Sequence, residues 1–271
     1  MRIGLLSDLH CELAPSRERR WINRYEPLEL ERRLRGAVEL FTGERPDVVL
    51  LLGDSAELGD REAFDFVFSR LRQLAEPVVA VAGNHDGGAD ISALAASASA
   101  HGVRLLDGDS LRVEGVTILG ARIAPAEPGS PDFRGTLAAP PHDDALILVA
   151  SHFPLLSHES EIAEAGLPYS GDLVNRAEIQ SLLEESRVPT VVFSGHVHSR
   201  CSATAGHVLQ LTVGAMIESP FDCTIVDIDF GDDGTIAIRR RAYTLGAAAA
   251  INPVFTPEDE WWEWRGERWT M

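Results

Sequence analysis

Lysine is absent from this chain: all 24 basic residues are arginine, so no catalytic lysine is available. Cysteine is scarce. Cys11, Cys201 and Cys223 are odd in number and scattered, which excludes a disulfide framework and fits free thiols in a reducing compartment. No apolar run approaches the ~18 residues of a membrane span, and Met1–Ser7 is too short for a secretory h-region before Asp8 interrupts it. A cytoplasmic protein with no membrane partner is therefore expected. Positive charge is also in deficit. A net charge of −18 and an isoelectric point near 4.8 repel polyanions over most of the surface, which excludes bulk duplex nucleic acid as a partner but not a local positive site.

What remains is a chain of 271 residues, 45% hydrophobic and 24% charged, the composition of a soluble globule able to bury one sizeable core. Arg2–Ser7 reads as a strand, Leu28–Phe41 as a helix, and Asp47–Leu52 as an uninterrupted apolar strand of the kind buried on both faces in a parallel sheet. A helix over 61–74 and a strand over 77–82 repeat the pattern, and another helix follows at 91–100. The order is β-α-β-α-β, with polar residues collected just after each strand. Residues 103–106, 111–113 and 116–119 then read as short antiparallel strands. Residues 122–143 hold five of the fifteen prolines and read as an irregular loop. Ala145–Ala150 returns as a strand. Asp172 or Asn175 is expected to cap a helix running to about Glu185, and Thr190–Ser194 is a further strand. Residues 207–241 suggest a three-stranded meander turning at Gly231–Gly234. The expected fold class is α/β, two stacked mixed β-sheets flanked by helices in an α-β-β-α sandwich. Residues 1–245 are expected to form one domain, and 246–271 a tail carrying Trp261, Trp262, Trp264 and Trp269, folded onto the domain or placed at a homodimer contact.

Five short blocks stand out, each after an expected strand: Asp8-Leu9-His10, Gly53-Asp54, Gly83-Asn84-His85-Asp86, Ser151-His152 and Gly195-His196-Val197-His198. Taken singly, each has an ordinary reading as a turn or a surface polar group. Together they place seven oxygen or imidazole donors at five strand ends. In D-x-H the two side chains emerge as the strand leaves its pleat and can grip one ion, and Asp54 has two oxygens with which to bridge.

This ordered set resembles the calcineurin-like metallophosphoesterase superfamily, whose D-x-H, G-D, G-N-H-[DE], H and G-H-x-H blocks it matches over roughly residues 1 to 230. The resemblance implies that Asp8, His10, Asp54 and His198 hold one divalent ion, and that Asp54, Asn84, His152 and His196 hold a second. The mixed oxygen and nitrogen donors suit transition metals, with manganese expected and iron, zinc, cobalt or nickel able to substitute. Two such cations ~3.5 to 4 Å apart turn a bridging water into hydroxide and neutralise phosphoryl charge, giving in-line displacement. His85 is then the group that stabilises the transition state or protonates the leaving alkoxide, with Asp54 the bridging catalytic carboxylate. Asp86 is expected to cap the following helix, or else to orient His85.

Departures narrow the branch. Protein Ser/Thr phosphatases carry G-D-x-x-D-R-G, whereas Gly53–Gly59 here has Glu57 in place of the second Asp and no Arg. Purple acid phosphatases have a Tyr ligand at the Glu57 position. The remaining expectation is a small bacterial-type phosphoesterase that hydrolyses a monoester or diester, nucleotide-like small molecules being favoured. A single-strand nuclease of the DNA-repair type and a non-catalytic metal-binding scaffold of the same fold are the alternatives. Substrate choice is assigned to residues 12–25, 122–143 and 153–172, with Arg17, Arg19, Arg20 and Arg24 as candidate anion clamps. His158 is the outlying histidine nearest to a block, six residues after His152.

Overall fold

Apolar runs without alternation need cover on both faces, and the structure, a computed structural model, provides it with two sheets packed face to face between outer helices. It describes residues 1–14, 17–164, 166–167, 171–246 and 258–271. The elements in chain order begin with β1 (Arg2–Leu6), α1 (Leu30–Glu44), β2 (Val48–Leu52), α2 (Arg61–Leu71), β3 (Val78–Val81), α3 (Ser92–His101) and β4 (Arg104–Leu105). Next come β5 (Ser110–Val113), β6 (Val116–Gly120), β7 (Arg122–Pro125), β8 (Phe133–Thr136), β9 (Ile147–Ala150), α4 (Glu159–Glu164) and α5 (Arg176–Ser186). The last are β10 (Thr190–Ser194), β11 (Cys201–Ala205), β12 (Val208–Thr212), β13 (Asp222–Phe230), β14 (Ile236–Thr244), β15 (Asp259–Trp264) and β16 (Trp269–Thr270).

One sheet has the order β16-β15-β14-β13-β1-β2-β3-β4, parallel from β1 to β4 and antiparallel elsewhere. The other runs β11-β12-β10-β9-β6-β5, with a parallel centre and antiparallel edges. Residues alternate between two destinations. Ile3, Leu5, Val48 and Leu50 join Leu148, Val191, Phe193 and Leu211 between the sheets. Leu6, Val49 and Leu51 meet Leu34, Phe41, Phe64 and Phe68 of α1 and α2 on the outside. On the other outer face, Ile147, Val149 and Val192 meet Ile179 and Leu183 of α5.

Several expectations change. Strands β5 and β6 pair antiparallel as expected, but β4 joins the first sheet parallel to β3, and β6 runs parallel to β9 on its other side, so residues 103–106 do not belong to that antiparallel set. The expected meander is split: β12 belongs to the second sheet and β13–β14 to the first, with 213–221 crossing between them. Alternation reports that a strand is half-buried, and two facing sheets bury it equally well. Residues 122–143 contain the ribbon β7–β8, and 153–172 contain α4; residues 165 and 168–170 of that stretch lie outside the described residues. The helix N-cap is Asn175, but its side chain makes no cap bond. Instead Oδ1 accepts from Gly135 N–H and Nδ2 donates to Gly135 O, both at 2.9 Å, tying the ribbon to α5.

Within the tail, 247–257 lie outside the described residues. Beyond them β15 pairs with β14, placing Trp262 opposite Ile238 and Trp264 opposite Ile236. Trp262, Trp264 and Trp269 enter the core between the sheets, and Trp269 Nε1 donates to His207 O at 2.9 Å. No helix among the described residues is long and apolar enough to cross a membrane. Trp262→Ala is expected to destabilise the fold by about 3–5 kcal/mol, read from the midpoint of urea unfolding; a wild-type midpoint would mean that β15 adds nothing to the core.

Candidate metal centre

The expected site residues leave the sheets where parallel strands end: after β1, β2 and β3 in one sheet, and after β9 and β10 in the other. The first two loops continue side by side, Asp8 N–H donating to Gly53 O, His10 N–H to Asp54 O at 2.8 Å and Cys11 N–H to Ser55 O. A third segment joins them, Met216 N–H donating to Ser7 O at 3.0 Å and Ile217 N–H to Asp8 O at 3.1 Å. Within these loops Asp8, His10, Asp54, His196 and His198 all adopt positive φ, between 42° and 68°. That region is sparsely used by residues with a Cβ, and Asp and His are among the types that tolerate it. The resulting reversals send Asp8 and His10 to one side while Leu9 and Cys11 enter the core against the helices. Burial pushes the Cys11 thiol up to about 12.

Two glycines permit the loops to approach this closely. A Cβ on Gly83 would lie 2.0 Å from Asp54 Oδ1 and 2.2 Å from Asp54 N. A Cβ on Gly195 would lie 1.8 Å from Ser7 Oγ and 2.5 Å from Asp8 Oδ2. Each of these two glycines is thus the surface on which another block's carboxylate rests.

The seven expected ligands converge in two groups: Asp8, His10 and His198 in one, and Asp54, His152 and His196 in the other. Asn84 Oδ1 lies 3.0 Å from His152 Nε2, beside the second group. Asp54 lies between them, its Oδ2 3.5 Å from His10 Nε2 and 3.2 Å from His152 Nε2. The outer nitrogens of three imidazoles each meet an oxygen that can only accept. His10 Nδ1 donates to Glu57 at 2.9 Å, His152 Nδ1 to Leu52 O at 2.8 Å, and His198 Nδ1 to Glu218 at 2.5 Å. When these rings are neutral, their proton is on Nδ1 and each Nε2 directs a lone pair inward. His10 Nε2 and His198 Nε2 then face each other across 3.3 Å. Inward lone pairs beside two buried carboxylates could hold a cation, and the donor set fits divalent ions.

The electrostatics agree. Burial works against charging His152 and His198, but Asp54 beside the first, and Asp8 with Glu218 beside the second, push these imidazoles up to about 9 and about 10. Burial likewise opposes ionisation of Asp8 and Asp54, yet His198 and His152 hold the two carboxyls below the usual range. The enclosed carboxylates draw positive charge; protons supply it when no other cation does. His196 is held well below its ordinary value by burial and then by His152.

Glu57 and Glu218 were not identified as site residues in the sequence. Glu57 accepts from His10 Nδ1 through Oε2 and from His85 Nδ1 through Oε1, at 2.9 and 2.8 Å. Burial opposes charging of His85, but Glu57 and then Asp54 raise its pKa. The available signal for Glu57 was a carboxylate three residues after Asp54; for Glu218 it was one acid among Ala215, Met216 and Ile217. Asp86 neither caps the following helix nor orients His85. Its carboxylate accepts from Gly83 N–H at 2.8 Å and Ala56 N–H at 3.0 Å, joining the second and third loops.

A cleft of about 180 Å³ opens over the cage, lined by His10, Asp54, Asn84, His85, His196 and His198 and walled by Trp21, Tyr25, Pro131 and Phe133. Of the candidate arginines, Arg19 comes nearest, with its guanidinium on Glu57 and, at 2.8 Å, on Glu12. Arg24 pairs with Glu18 at the surface, and Arg17 and Arg20 are exposed. His158 lies outside the cage, buried with Nε2 3.0 Å from Thr212 Oγ1 and 2.9 Å from Gln210 Nε2.

Gly83→Ala is expected to force Asp54 out of place, because one of the atoms in the way is backbone. Elemental analysis of the purified protein should then show metal content falling while far-ultraviolet circular dichroism stays folded; full metal content would refute the packing role given to Gly83.

A family model described as calcineurin-like phosphoesterase matches residues 1–200. Among solved structures, a dimetal phosphatase from Danio rerio superposes with a TM-score of 0.68 at 15% identity, covering 96% of this chain and 98% of that one. A purple acid phosphatase from yellow lupin gives 0.58 at 13% identity, covering 93% of this chain and 52% of the other. A 5'-nucleotidase precursor from Thermus thermophilus gives 0.53 at 14% identity, with 90% and 54% covered. At these identities the likeness is one of fold. No curated protein matches the sequence. With the family model spanning most of its length, the chain belongs to the calcineurin-like phosphoesterases.

Proposed function

We propose that this phosphoesterase hydrolyses small phosphate monoesters or diesters, nucleotide-like molecules among them, at a centre of two divalent transition-metal ions. The observation that carries the reading is the position of Asp54, one carboxylate oxygen of which is within 3.5 Å of an imidazole nitrogen from each ligand group. Asp8, His10, Asp54 and His198 would hold one ion and Asp54, Asn84, His152 and His196 the other, with manganese the first choice for this donor set. When bound, such a pair supplies an activated water and neutralises charge on the phosphoryl oxygens.

The chain's own residues do the rest. Glu57 keeps the Nδ1 proton of His85 engaged at 2.8 Å, which leaves Nε2 for the leaving group, and Glu57 with Asp54 raises the pKa of His85 against the effect of burial, which favours its acid form. Trp21, Pro131 and Phe133 narrow the mouth of the cleft and limit water around the ester. An intact His85–Glu57 pair supports catalysis over a scaffold role. The net charge of −18 disfavours a nuclease. Three buried free cysteines are consistent with a reducing, cytoplasmic setting.

Removing metal with a chelator should abolish hydrolysis of both a model monoester and a model diester, and manganese should restore it at about two ions per chain; full activity in the metal-free protein would sink the reading. Turnover of single-stranded DNA alone would put the nuclease in its place. Asp54→Asn is expected to reduce both metal content and rate; a variant retaining both would remove its bridging role. For His85→Ala, an alkyl phosphate should slow by about 10²–10⁴-fold and a nitrophenyl phosphate by much less, since nitrophenolate leaves without a proton. Equal losses on the two substrates would contradict leaving-group protonation by His85.

A further inference from the structure

Tyr25 has no task in the chemistry above, yet it is built into the cage. Its ring centroid lies 5.3 Å from that of His10 and 5.7 Å from that of His198, tilted by 39° and 29°. The loop that carries it is fastened on both sides. Tyr25 N–H donates to Arg19 O at 3.0 Å and Glu26 N–H to Ile217 O at 2.9 Å. Asn23 N–H donates to Glu218 Oε2, and Asn23 Nδ2 to Ser219 O at 2.9 Å. The carboxylate that holds His198 therefore also holds the segment bearing Tyr25.

The phenol itself is not consumed by the fold. Its hydroxyl makes no hydrogen bond to a described residue, and the half-buried side chain lines the cleft. Tyr25 borders the cleft over the cage together with His85 and Asn84. It also borders a narrow gap shared with His10, Arg17 and Arg19, and a surface hollow of about 600 Å³ shared with Arg17 and Arg24. A ring packed against two cage imidazoles fixes the hydroxyl, and a fixed O–H beside the reacting group is a donor that needs no reorganisation when charge develops.

We propose that Tyr25 is a substrate-contacting residue whose hydroxyl donates a hydrogen bond to a phosphoryl oxygen of the bound ester, a role that rests on the phosphoester reading of the cage. Tyr25→Phe keeps the ring against His10 and His198 and removes only the donor. In the metal-loaded variant, metal content should be unchanged, kcat/KM should fall by about ten- to a hundredfold, and inorganic phosphate should bind more weakly in calorimetry. Wild-type kcat/KM and phosphate affinity in Tyr25→Phe would overturn the proposal and leave the hydrolase reading intact. Calorimetry needs no turnover, so the two readings separate even if no tested ester is hydrolysed: weaker phosphate binding in the variant would still uphold the contact. Equal binding, or no phosphate binding to the metal-loaded wild type, would overturn it.

Discussion

The centre of this protein depends on a charge imbalance enclosed by backbone. Asp8 and Asp54 are almost completely buried, and the imidazoles around them are hydrogen-bonded on their outer nitrogens to Glu57, Leu52 O and Glu218. Inward-facing lone pairs and carboxylates cannot satisfy one another, so the site favours cations. The rest of the architecture serves to hold these groups in that position against their mutual repulsion. Parallel strand ends from two sheets meet there, Gly83 and Gly195 let the loops touch, and Asp86 joins two of the loops through their amides.

The central donors were legible because each is tied to a local backbone event. Gly53-Asp54 and Gly195-His196-Val197-His198 mark chain reversals at strand ends, and the strands that deliver them are nearly continuous apolar runs. The supporting acids were not legible for a physical reason. Glu218 reaches His198 across a crossover between sheets, and Glu57 reaches His85 across 28 positions. Neither distance leaves a periodic trace. The same limit explains β12 and β13: a half-buried strand shows its alternation, but not which of two facing sheets supplies the partner. The ribbon β7–β8 escaped because prolines dominate its surroundings and its pairing depends on Asn175, forty residues away.

Glu57 and Glu218 also connect layers of the site that the motifs present as separate. Glu57 touches His10, His85 and Arg19, and Glu218 touches His198 and Asn23. Each carboxylate thus joins a cage imidazole to the segment between β1 and α1, the region assigned to substrate choice. Occupancy of the cage and the shape of the cleft's rim share the same two supports, so a change in one is felt in the other.

The left-handed backbone at Asp8, His10, Asp54, His196 and His198 restricts how this centre can be retuned. Replacing a donor with a β-branched residue, or with most residues other than Gly, Asn, Asp or His, adds a conformational cost of about 1–3 kcal/mol to any change in coordination. Lineages descended from such a chain would therefore diversify its rim freely, while the alphabet open to its cage stays short.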